Sequence, residues 1–156
     1  MIKLKKILYP TDFSKHSLAA LPYARDMAEK FSADLHVLHV VDSAYQYWMA
    51  GGEDTAPVVM SENELTESAQ QQMDDFIEKN LSDYKEQITV KLIPGKPFLE
   101  IIHYARDQGI DMIVIATHGY GALTSMLIGS VTEKVLRKAP CPVMTIRHAE
   151  HKFEMP

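Results

Sequence analysis

Cysteine is nearly absent. Cys141 stands alone in 156 residues, so no disulfide can form within the chain, and a reducing compartment fits. Its setting reads as that of a small buried hydrophobe rather than a reactive thiol. Positive charge is also short: 16 Lys and Arg face 21 Asp and Glu, a net charge of -5. The molecule as a whole therefore repels nucleic acid and anionic membranes. Any anion site must be local, built from backbone amides and a few cations. No apolar run approaches the roughly 20 residues that a membrane span needs. The apolar part of the N-terminal MIKLKKILYP is too short for a signal peptide. These absences predict a cytoplasmic protein with no nucleic-acid and no membrane partner.

Catalytic signatures are missing too. There is no GxxxxGK[ST], which excludes a Walker-type NTPase, and no HExxH, CxxC or GxSxG. Gly119-Tyr120-Gly121 opens like a dinucleotide fingerprint, but the third glycine is lacking. His36 and His39 lie three apart in one predicted strand, so they face opposite sides and cannot share a metal. No general base stands beside a nucleophile. The chain is therefore expected to bind rather than turn over, with no catalytic residue and no protein-bound metal.

What is present is a pattern. The hydrophobic fraction of 46% supports a real core, and the length suits one domain spanning residues 1–156. Apolar β-type runs alternate with helix-period segments. Strands are predicted at Lys6 to Tyr9, Leu35 to Val41, Ile88 to Ile93, Met112 to Ala116 and Pro142 to Ile146. Helices are predicted at Ser14 to Phe31, Ser61 to Leu81, Pro97 to Gln108 and Ser130 to Lys138. Ser61 with Glu64 has the spacing of a capping box, and Pro97 and Gly109 bracket their helix as helix ends prefer. Consecutive apolar residues such as Ile113, Val114 and Ile115 point to strands buried on both faces. The prediction is a doubly wound α/β fold, an open sheet of five parallel strands with helices on both faces. Ligands bind such sheets at the strand carboxyl ends, where strand order reverses, and the first and fourth strands are the expected neighbours there.

Two loops carry the chemistry. Val114 to Val131, VIATHGYGALTSMLIGSV, leaves a buried strand through Thr117-His118-Gly119 and enters a helix at Gly129-Ser130. Backbone N–H groups at a strand end and at a helix start together suit a phosphate chain. Ser130 with Glu133 also has capping-box spacing, so a plain capping role stays open. Asp12, after the first strand, either accepts hydrogen bonds from a ribose or base or starts the next helix. A base pocket is expected between the first two strands, walled by Pro10 and Val40. Asp42 to Met60 is a long irregular stretch with Tyr45, Tyr47 and Trp48. It reads as a cover for the core, a lid, or a partner contact.

In three segments, KKILYPTDFS, LHVLHVVD and ATHGYGALTSMLIGSVTEKVLRKAPCPVMTIR, the chain resembles the universal stress protein family, over roughly Lys5 to Arg147. The family's ATP-binding members are known by G-x-x-G, nine residues, then G-[ST]. Gly119, Tyr120 to Ile128, Gly129 and Ser130 match this pattern, and Ala116 stands where the first glycine belongs. The resemblance implies an adenine nucleotide alpha hydrolase-like, Rossmann-like sheet. It implies that Pro10, Thr11, Asp12 and Val40 surround adenine and ribose. Ala116, Thr117, His118, Gly119, Gly129, Ser130, Val131 and Thr132 would line the phosphate path. ATP is the implied cofactor, with Mg2+ held mainly by its phosphates; the Ala116 methyl is either tolerated, since ordinary β dihedrals need no glycine, or crowds the sugar or α-phosphate. The family also tends to pair its last strand with a copy, which implies a homodimer through Pro142 to Ile146. The function implied is a stress-response sensor or regulator with a further regulatory protein partner. The alternatives are a weak ATPase or adenylate-handling enzyme, and a dimeric interaction module without nucleotide.

Overall fold

The computed structural model describes residues 1–42, 61–119 and 128–148, except the side chains of 85 and 86. The expectations for Asp42 to Met60 (beyond Asp42 itself) and for Tyr120 to Ile128 (before Ile128) fall outside the described residues. Five parallel strands form one sheet: β1 (Lys6–Pro10), β2 (Asp34–Val41), β3 (Ile88–Pro94), β4 (Met112–Ala116) and β5 (Val143–Ile146). Their spatial order is β3-β2-β1-β4-β5. The order reverses between β1 and β4, as the apolar runs led one to expect.

Side-chain alternation sorts the core into two layers. Ile7, Tyr9, Leu35, Val37, Val114 and Ala116 face one side. There they meet α1 (Lys15–Leu18), α2 (Leu21–Phe31) and α3 (Glu62–Leu81). Leu8, Leu38, Val40, Ile113 and Ile115 face the other, against α4 (Pro97–Asp107) and α5 (Ser130–Lys138). The sheet is thus wound on both faces. At its amino edge the Asp111 carboxylate accepts the amides of Lys5 (2.7 Å) and Lys6 (3.0 Å), which ties the entry of β4 to that of β1.

The helix predicted from Ser14 to Phe31 is two helices. Pro22 lies in the first turn of α2, where its missing N–H costs nothing. Inside a continuous helix its ring would clash with the carbonyl of Leu18. The chain therefore tightens at Ala19 and Ala20, whose amides bond His16 and Ser17 carbonyls three residues back. β5 begins at Val143 rather than Pro142, because proline brings no N–H to a ladder; Pro142 contributes only its carbonyl, to the amide of Ile113 (3.0 Å). Pro97 and Gly109 bracket α4 as expected, with Gly109 left-handed at φ 61°.

The Ser61 cap of α3 forms as a complete box: Ser61 N–H donates to Glu64 Oε2 (2.7 Å), and Glu64 N–H to Ser61 Oγ (3.3 Å). Ser61→Ala should lower stability by about 1 kcal/mol, read as a lower urea midpoint at unchanged slope. His36 is buried on the α4 side with Nδ1 2.8 Å from the Tyr104 hydroxyl. Burial, with help from Lys6 and Lys91, pushes its pKa below the usual range. The unfolded chain then binds more protons than the folded one just below the unfolded pKa of about 6.5. Stability should be fully present above that pH and fall as pH drops through it, and His36→Phe should flatten the slope of urea midpoint against pH.

Candidate functional site

At the carboxyl edge, the chain leaves β1 through Thr11-Asp12-Phe13-Ser14. The Thr11 amide donates to the Leu38 carbonyl (2.8 Å), carrying the β1–β2 ladder one residue past Pro10. The Ser17 hydroxyl proton goes to the Ser14 carbonyl (2.9 Å), so Thr11 is the donor in its 3.0 Å contact with Ser17 Oγ. Thr11 Oγ1 accepts from the amide of Phe13 (3.0 Å), and Asp12 Oδ1 accepts from the amide of Ser14 (3.0 Å). Ser14 in turn caps α1. The buried Tyr9 hydroxyl donates to the Ser17 carbonyl (3.0 Å), and burial pushes its pKa up to about 12, so it remains a donor. Asp12 is therefore a turn residue whose carboxylate also lies against Gly119 of the loop opposite.

Phe13 sits at φ 64°, in the left-handed region. A residue with a Cβ holds that conformation at a cost of about 1–2 kcal/mol, so something must compel it. Its ring stacks on His39 (centroids 4.2 Å) and leans on Phe76 (5.7 Å). His39 Nδ1 lies 2.8 Å from the Thr11 carbonyl.

The chain leaves β4 through Thr117-His118-Gly119. The Thr117 amide donates to the Ile146 carbonyl (2.9 Å), and its carbonyl accepts from the amide of Gly129 (2.7 Å). Thr117 Oγ1 is 3.0 Å from His118 Nδ1. Thr132 Oγ1 donates to the Ala116 carbonyl (2.8 Å). The turn after β4 and the start of α5 are thereby stitched together. A Cβ on Gly129 would meet the Thr117 carbonyl oxygen at 3.1 Å and His118 Cα at 3.6 Å. A Cβ on Gly119 would run into the Asp12 carboxylate. Gly129 is thus tight against the Thr117 carbonyl, a side chain at Gly119 would have to displace the Asp12 carboxylate, and the second contact joins the β1 loop to the β4 loop.

The start of α5 differs from the capping box that Ser130 and Glu133 predicted. Gly129 occupies the cap position, no side chain caps the helix, and Ser130 is its first residue. The Gly129 amide bonds the Thr117 carbonyl, and the helix starts at Ser130, so that Ser130 is not left outside it as a cap. The Glu133 carboxylate pairs instead with Arg137, at 3.1 Å from Nε and 2.9 Å from Nη2. The amides of Ser130, Val131 and Thr132 form a helix end with no side-chain cap among the described residues, and Ser130 itself is exposed.

The twelve residues singled out in the sequence divide. Asp12, Thr117, His118, Gly119 and Gly129 converge. Pro10 ends β1, Val40 lies one residue before the end of neighbouring β2, and by alternation the two share the face that carries α4 and α5. Ser130 and Val131 begin the open helix end. Thr11 and Thr132 are buried, with hydroxyls committed to protein partners. Ala116 packs with Val114 and Tyr9 on the α1/α2 face, so its methyl points away from the face of Pro10 and Val40. Crowding by that methyl does not arise from this direction. Cys141 is half-buried against the α4/α5 layer, and burial pushes its thiol pKa up. A cavity of about 440 Å³ lies elsewhere, between α3 and edge strand β3, lined by Asp74, Ile77, Val90 and Leu92 among others. Among the described residues no group of three His, Cys, Asp or Glu is placed to hold a metal, and no helix is long and apolar enough to cross a membrane.

This geometry belongs to a known class. The model of the universal stress protein family matches residues 3–147, and the chain belongs to that family. It is 32% identical to universal stress protein MJ0577 of Methanocaldococcus jannaschii, over 94% of this chain and 96% of that one. A solved structure of MJ0577, there described as a hypothetical protein, superposes with a TM-score of 0.78 at 29% identity, covering 96% and 100%. UspA of Lactobacillus plantarum follows at TM-score 0.74 and 25% identity, covering 94% and 100%. A universal stress protein solved in complex with cAMP shares the fold at TM-score 0.67 and 18% identity, covering 94% and 99%.

The Asp12–Gly119 approach yields a direct test. Gly119→Ala should displace the Asp12 carboxylate and lower stability by about 1 kcal/mol or more. In an Asp12→Ala background the same change should cost little. A double-mutant cycle by urea denaturation measures the difference.

Proposed function

We propose that this chain binds ATP as a ligand in the cleft between the β1 and β4 loops and acts as a dimeric stress-response sensor in the cytoplasm. Adenine and ribose rest against Pro10, Thr11, Asp12 and Val40. The phosphates pass Thr117, His118 and Gly119 to the open amides of Ser130, Val131 and Thr132, with magnesium held mainly by the phosphates. The observation that carries this reading is the convergence of two loops on a helix start with no side-chain cap, at the point where strand order reverses. The relative solved with cAMP favours a nucleotide as the ligand class. Ala116 is compatible with it, since its methyl lies on the other face.

Magnitudes decide how the site works. A helix end supplies an anion with about 0.3–1 kcal/mol, or about 2 when partly buried. Micromolar binding requires roughly 8 kcal/mol. Directed amide hydrogen bonds and burial of the base supply the difference. Nucleotide serves as a signal, read by a regulatory protein partner, because no general base or arginine is assembled toward a γ-phosphate among the described residues. β5, at a sheet edge, offers an open ladder that a two-fold copy would close.

Isothermal calorimetry with Mg-ATP should give a saturable heat. Gly129→Val should weaken binding by about tenfold or more, while Ala116→Gly should change it by less than about threefold. Sedimentation should give twice the 17.6 kDa chain mass. A flat titration of folded protein that also releases no nucleotide on denaturation refutes the ligand, and a monomer refutes the dimer.

A further inference from the structure

We infer that His39 is a positioning residue for the nucleotide site, holding the Thr11-to-Ser14 turn in the conformation that aims Asp12 at Gly119. This rests on the nucleotide reading above and extends it to a residue on the far side of the sheet. His39 stacks with Phe13, which packs with the α1/α2/α3 layer, whereas Val40 packs in the α4/α5 layer. His39 therefore acts on a ligand beside Val40 through the turn, not by contact.

The geometry separates what shapes the turn from what directs it. The bonds from Phe13 N–H to Thr11 Oγ1 and from Ser14 N–H to Asp12 Oδ1 lie within the turn and set its shape. Two bonds tie it to β2. One is the Thr11 amide on the Leu38 carbonyl; the other is the Thr11 carbonyl on His39 Nδ1. A carbonyl only accepts, so the ring carries its proton on Nδ1, and neutral imidazole suffices. Burial lowers the His39 pKa and keeps that form. The same ring supports Phe13 in its left-handed conformation. The hydrogen bond is the directing contact, since it fixes the Thr11 carbonyl in the peptide that leads into Asp12, while the stack covers Phe13. Asp12 then meets Gly119 of the opposite loop.

Two variants separate donor from ring. His39→Asn keeps an N–H near the Nδ1 position, and His39→Phe keeps the stack but loses the donor. With Mg-ATP in calorimetry, His39→Phe should bind about tenfold more weakly and His39→Asn within about threefold of the parent. Asp12→Ala with His39→Phe should be no weaker than Asp12→Ala alone, because His39 acts through Asp12. Amide hydrogen exchange, measured without nucleotide, should show protection lost at Phe13 and Ser14 in His39→Phe and retained in His39→Asn. Equal weakening in both variants, multiplying losses in the double variant, or parental binding in His39→Phe overturns the proposal. If the parent protein binds no ATP, the nucleotide reading fails on its own, and unchanged protection at Phe13 and Ser14 in His39→Phe then overturns the role of His39 in the turn.

Discussion

The parallel pairing of β1 with β4 is the constraint on which the rest of this protein depends. Ile7 faces Met112 and Leu8 faces Ile113 across that pair, and Asp111 anchors its amino end to the amides of Lys5 and Lys6. The two strands belong to different halves of the fold. After β1 the chain turns toward the α1/α2 face; after β4 it leads to α5 on the opposite face. Adjacent strands whose connections part in this way leave a crevice at their carboxyl ends. Asp12 and Gly119 face each other there only because their strands are neighbours.

The crevice is built from unusual backbone rather than from reactive side chains. Gly119 and Gly129 have no room for a Cβ without displacement, and Phe13 holds a left-handed conformation. Such features cost stability, and they persist only where surrounding contacts compel them. Here the compulsion is visible: His39 and Phe76 hold Phe13, and the Thr117 carbonyl holds Gly129. What this arrangement leaves, among the described residues, is a set of helix-start amides without a side-chain cap.

Much of this was legible in the residues. Strand runs and helix periods placed all five strands and the helices α3, α4 and α5 to within a few positions, because burial on one or both faces leaves a periodic trace. Pro22 was the exception that split a helix, since an apolar stripe continues across a break that the missing N–H imposes. At the site, Gly119 and Gly129 stood out by spacing, and the structure adds that each lies in close approach to the opposite loop or the preceding turn. Ser130 misled, because a capping box is only a spacing until the backbone decides which residue enters the helix first. For Ala116 the residues left tolerance and crowding both open, because the direction of its methyl could not be known before the strand's alternation was anchored to a face. His39 was weighed only as a metal ligand; its position one residue before Val40, after an aspartate-bearing turn on the neighbouring strand, was the signal available.

The sequence by itself determined the class of fold, the family and the two glycine-bearing loops at the sheet's carboxyl edge, because hydrophobic period, turn chemistry and glycine spacing are local properties. Only the tertiary structure decided that Asp12 meets Gly119, that Gly129 rather than Ser130 caps α5, and that the Ala116 methyl turns away. Those facts depend on register and on which face each side chain takes. Both are set by strand pairing between segments about a hundred residues apart, and no local pattern carries that information.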